Sequence, residues 1–164
     1  MKRTVFFGAF LLALAIAALA AAPYSYGGKI VPRDVKGVMD GRFVFEGPTE
    51  GPWITVGDVT GPLSHFGLSE MYTSHTPNGD GTLTGGVFKI VAANGDEISG
   101  NYEGSAQWVA SDQVHGNAQF IISGGTGRFE GATGTINASF VETFDDPTWS
   151  GAKVSWALVG TVNY

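Results

Sequence analysis

The chain has 164 residues, no cysteine, and fifteen acidic side chains against nine basic ones. That balance disfavours nucleic acid and anionic lipid surfaces as partners. Without cysteine, thiol catalysis, thiolate metal sites and disulfides are excluded, so one hydrophobic core must hold the fold, and about 140 residues suffice to build it.

The first segment reads as an export signal. Lys2 and Arg3 precede an uncharged run from Val5 to Ala22, and Ala18-Leu19-Ala20 supplies the small-x-small pattern of a cleavage site. Residues 1–20 are expected to be a signal peptide cut after Ala20, because a cut after Ala22 would set Pro23 beside the scissile bond. The alternative is an uncleaved anchor, for which the run is near the lower limit of roughly 20 residues. Cleavage leaves seven basic against fifteen acidic residues, a formal charge of 7 − 15 = −8. A secreted or periplasmic protein, off the membrane once cleaved, is expected. Residues 21–34, rich in Pro, Gly and Tyr without any period, are expected to be a flexible lead-in to a single domain at 35–164.

From Val35 onward no window has helical apolar spacing, and turn dipeptides recur at short intervals: Asp40-Gly41, Gly61-Pro62, Asn78-Gly79-Asp80-Gly81, Asn94-Gly95, Gly124-Gly125 and Asp146-Pro147. Alternation between the turns assigns faces, since successive strand side chains point to opposite sides. Segment 35–46 is expected to bury Val35, Met39, Phe43 and Phe45, whereas 53–60 admits either face. Segment 63–75 is expected to turn Phe66, Leu68 and Tyr72 inward, and 82–91 to bury Phe88 and Ile90 while exposing Lys89. In 98–108 the inward set is Ile98, Tyr102, Ala106 and Trp108. The even positions continue it in Phe120, Ile122, Ile136, Phe140, Phe144, Val154, Trp156, Leu158 and Val162.

About eight short-linked strands predict an all-β fold, an eight-stranded antiparallel β-barrel of calycin-like type whose closure removes exposed edges. A two-sheet sandwich satisfies the same alternation.

The stretch Ile121-Ile122-Ser123-Gly124-Gly125-Thr126-Gly127-Arg128-Phe129-Glu130-Gly131 resembles the signature hairpin of the allene oxide cyclase and dirigent barrel superfamily. Gly61-Pro62-Leu63-Ser64-His65-Phe66-Gly67 and Ala92-Ala93-Asn94-Gly95-Asp96-Glu97 resemble the segments preceding it in bacterial members. The resemblance implies an eight-stranded barrel with a central cavity, often a homotrimer, whose plant relatives guide cyclisation or radical coupling of apolar substrates. Its matching positions are structural: Gly125 and Gly127 are expected to hold backbone angles closed to other residues, and Arg128 is read as a solvated turn arginine.

Two carboxylates break the apolar face so assigned. Glu70 falls between Leu68 and Tyr72, and Glu142 between Phe140 and Phe144. Facing each other across a cavity, Glu70 and Glu142 would have raised pKa values and could act as catalytic acid and base. At strand ends they would be solvated. Tyr72, Phe88, Tyr102, Trp108, Phe120, Phe140 and Trp156 could line a pocket for a small apolar ligand or fill the core. His65, His75 and His115 lack the spacing of a metal site and are read as surface residues. No metal and no cofactor are expected. Three functions stay open: a barrel binding a small apolar molecule in its central cavity, a cyclase or isomerase using interior glutamates, and an interaction module with a filled core.

Overall fold

The computed structural model describes residues 30–47, 54–145 and 150–164. The expected signal peptide and most of the expected lead-in lie outside them. Eight strands follow in order: β1 Pro32–Glu46, β2 Ile54–Leu63, β3 Gly67–Pro77, β4 Thr82–Val91, β5 Glu97–Ala110, β6 Gln113–Gly125, β7 Thr133–Thr143 and β8 Gly151–Asn163. The sole helical turn among the described residues is Gly127–Phe129. Each strand pairs antiparallel with the next and β8 returns to β1, so the sheet is a closed eight-stranded barrel and the sandwich alternative is dismissed. β1 begins at Pro32, inside the stretch expected as lead-in.

Two opposite parities build the interior. β1 to β3 turn odd residues inward, among them Met39, Phe43, Thr55, Val59, Met71 and His75. From Gly86 onward even residues face inward: Phe88, Ile90, Ile98, Tyr102 and their successors. The changeover is a β-bulge on β4, where the register with β5 jumps between Leu83 and Gly86 and Gly85 takes φ +63°. The same extra residue shows in the ladder to β3, where Ser74 faces Val87 but Thr76 faces Thr84. An extra residue in one strand reverses the facing of all that follow.

The core is stacked in levels. One end is plugged by Phe66 on Phe129, centroids 4.5 Å apart, with Tyr164 edge-on to Phe129 at 4.7 Å. Above the plug runs an aromatic layer: Tyr102 stacks on Phe120 at 4.7 Å, Phe88 and Trp156 meet Phe120 edge-on at 5.0 and 5.6 Å, and Phe140 leans on Trp156 at 4.4 Å. Beyond that layer the packing opens. In the hairpin of the resemblance, Gly127 has φ +56°, but Gly125 does not have positive φ. Its restriction is space: a Cβ there would lie 2.6 Å from the Phe129 carbonyl oxygen.

Candidate functional site: a cavity above the aromatic layer

At the barrel end carrying the β3–β4 turn, a cavity of about 430 Å³ enters the interior. Its wall is mostly apolar, with Phe43, Phe45, Leu83, Trp108, Val114 and Phe144 supplied by four strands and the end of β7. The rings form one cluster. Phe43 meets Phe45 at 5.5 Å and Phe144 at 6.1 Å, both edge-on; Phe45 and Phe144 lie parallel at 6.2 Å, and Trp108 tilts against Phe144 at 5.1 Å.

Three buried polar groups interrupt this wall, and Asn78, Asp80 and Gln107 add less buried ones. Glu142, on the even inward face of β7 opposite Val154 of β8, is only 9% exposed. No partner among the described residues meets its carboxyl, and burial pushes its pKa up to about 8. At neutral pH it is therefore predominantly protonated. His75 is 6% exposed, and its Nδ1 lies 2.6 Å from the Tyr102 hydroxyl. Burial lowers the imidazole to about 4, so it is neutral. Burial also raises the Tyr102 phenol, with the Thr73 hydroxyl acting against it and the charge of Glu142 adding to it. The third group is the Thr55 hydroxyl, buried without a hydrogen-bond partner among the described residues.

The structure separates the two glutamates. Glu70 stands on the outer wall, where its Oε2 accepts a hydrogen bond from the Tyr72 hydroxyl at 2.7 Å, and Lys89 covers the Tyr72 ring at 5.2 Å. Leu68 and Tyr72 are likewise outside, 71% and 40% exposed. The inward face of β3 is instead Ser69, Met71, Thr73 and His75. The facing pair of carboxylates expected from parity is thus not formed, and Tyr72 lines no cavity. Trp108 sits at the rim, 53% exposed, after β5 loses regular register between Trp108 and Ala110. Phe88, Phe120, Phe140 and Trp156 are packed in the layer beneath, as is Tyr102, which reaches the site through His75.

His75 was expected at the surface. The signal that could have placed it is pairing: the tight turn at Asn78-Gly79-Asp80-Gly81 sets Pro77 against the buried Leu83, which puts odd β3 residues on the inward face. Arg128 is a turn residue, but it is tied down: its guanidinium donates to the His65 carbonyl at 2.9 Å and lies 3.9 Å from Asp96. Among the described residues no three His, Asp or Glu cluster closely enough to hold a metal ion. A larger concavity of about 850 Å³ runs over the outer wall past Ser105, Asn117, Ser139 and Ser155, but none of its ionisable groups is buried. The buried ionisable groups His75 and Glu142 line the smaller, interior one.

No family model matches the sequence, and no curated protein matches it significantly. Solved structures do match. The pterocarpan synthase dirigent protein superposes with a TM-score of 0.50 at 16% identity, over 83% of this chain and 86% of that one. At that identity the likeness is one of architecture, and what the chain shares with that protein is a dirigent-like barrel fold.

Proposed function

We propose that the barrel binds a small, largely apolar molecule in the cavity above its aromatic layer, with Glu142 as the principal polar contact. The observation that carries this reading is a cavity of about 430 Å³, within the roughly 300–1,000 Å³ range of ligand sites, whose wall is mostly apolar apart from a few polar groups. A barrel meant only as a scaffold gains nothing from a buried, unpartnered carboxyl, which costs stability whenever it ionises. If residues 1–20 act as the export signal their composition suggests, binding takes place outside the cytoplasm.

Titrating the protein with the neutral dye N-phenyl-1-naphthylamine tests the proposal. Saturable enhancement at one dye per chain is expected, and Leu83→Trp, which fills the cavity from β4, should abolish it. Absence of saturable binding would overturn the reading.

A second reading, an acid-catalysed isomerase or cyclase, draws on one observation: Glu142 keeps its proton to about pH 8 in an apolar pocket, as a general acid must. It has one interior carboxyl to work with, since Glu70 lies outside. Turnover of a candidate substrate lost in Glu142→Gln would favour this reading over simple binding.

A further inference from the structure

We infer that the cavity is a site for a small organic ammonium ion, its cationic nitrogen held by Glu142 among the rings of Phe43, Phe45, Trp108 and Phe144. The inference rests on the cavity being a ligand site, and it adds the charge and chemical class of the ligand.

The Glu142 carboxyl is about nine-tenths buried, lines the cavity and has no partner among the described residues. Buried carboxyls are ordinarily satisfied by a donor, and no described residue supplies one here. Aromatic faces carry the negative part of the ring quadrupole and attract cations, most strongly where water is excluded. Four such rings share this wall, and the parallel Phe45 and Phe144 rings, 6.2 Å apart, have Phe43 edge-on to both.

The charges around the cavity have one sign. Among the described residues no Lys or Arg lines it. Arg42 and Lys153 both pair with Asp145, at 3.0 and 3.2 Å, and their side chains are more than half exposed. At the rim, Asp80 adds a carboxylate that Thr82 holds ionised through its hydroxyl at 2.6 Å and its amide at 2.9 Å. The titratable side chains accompanying Glu142 are His75 from β3, committed to Tyr102 from β5, and Asp80 at the β3–β4 turn. The strands beside Glu142 contribute Val114 and Val154, which do not titrate. An anion would meet Glu142 and Asp80 with nothing to compensate it. A neutral ligand would pack on the rings but leave the charge of the rim carboxylate and of an ionised Glu142 unanswered.

Binding a cation beside Glu142 must expel the carboxyl proton to solvent, and this gives the test. Isothermal titration calorimetry of the purified protein would compare 2-phenylethylamine, cationic at neutral pH and able to donate an N–H to the carboxylate, with 2-phenylethanol and phenylacetate. The cation should bind in preference to both, releasing close to one proton per complex near neutral pH, read from two buffers of different ionisation enthalpy. Its affinity should climb roughly fifty- to a hundred-fold between about pH 6 and about pH 9, as the carboxyl ionises through about 8. In Glu142→Gln, whose fold is checked by its thermal melt, that rise should vanish. Tighter binding of 2-phenylethanol than of the cation, or a pH dependence unchanged in Glu142→Gln, would overturn the ammonium inference and leave the ligand site standing. If neither the three probes nor the neutral dye bind, the ligand-site reading falls and takes this inference with it.

Discussion

Replacing Glu142 by Gln probes the electrostatics of the cavity without any ligand. Burial lifts the folded-state carboxyl from 4.5 to about 8. Between those values the folded chain holds a proton that the unfolded chain has lost, so stability falls as pH rises, by about 1.4 kcal/mol per unit. His75 acts with the opposite sign. Its pKa drops from 6.5 to about 4 on folding, so between these values the unfolded chain holds the extra proton and stability rises with pH. From pH 4.5 to 6.5 the two slopes cancel; from 6.5 to 8 Glu142 acts alone, and the native protein should lose about 2 kcal/mol. Glu142→Gln retains only the histidine slope, rising to about pH 6.5 and then levelling. The variant should therefore gain on the native protein steadily through this range, by about 5 kcal/mol at its upper end. Urea melts of both proteins across about pH 4 to about pH 9, extrapolated to water, measure the difference. Groups common to both cancel. A difference that stays flat with pH would mean that the Glu142 carboxyl is solvated, and the account of the cavity would fail.

Tyr102→Phe removes the hydroxyl facing His75 Nδ1 and should cost about 1–3 kcal/mol in a urea melt, because it leaves a buried imidazole nitrogen unmatched. Gly125→Val drives its side chain into the Phe129 backbone and should cost on the order of 1–3 kcal/mol by the same measurement. Phe129→Ala empties the plug at the far end and should cost about 3–5 kcal/mol. Dye binding to the folded fraction should persist in it, since Phe129 and the cavity occupy opposite ends of the barrel.

Turn chemistry and alternation were enough to read the all-β class and the strand number, but not closure, which a sandwich's alternation fits equally; the β5–β6 turn, Ser111-Asp112, carries no Gly, Asn or Pro, and Asp40-Gly41 and Gly61-Pro62 lie within strands. Facing was legible for Val35, Met39 and Phe43 on β1 and from β5 onward, except at Trp108, which stands at the exposed rim. It failed on β3 for a physical reason. Its inward side chains around the cavity, Thr73 and His75, are polar, while the outward set includes Leu68 and Tyr72; reading bulk apolar residues as buried therefore selects the wrong face. The reversal at Gly85 is local backbone geometry, marked in the sequence only by the Gly85-Gly86 pair inside a strand. Glu142 was placed inward because β7 has no such irregularity. The pocket residues expected from aromatic content turned out mostly to form the layer under the cavity, since parity separates inside from outside but carries no information on height along the barrel axis.

The longest ladder at the barrel's seam joins β1 to β8, from Pro32 opposite Asn163 to Val44 opposite Gly151. Strands more than a hundred residues apart in the chain must meet before the circle exists, so the last strand synthesised is the one that locks the first. Until β8 arrives, β1 and β7 each present a bare edge able to recruit a neighbouring chain. Such long-range closure is slow. A chain stalled or trimmed short of β8 should therefore associate edge to edge instead of persisting as a soluble, nearly complete barrel.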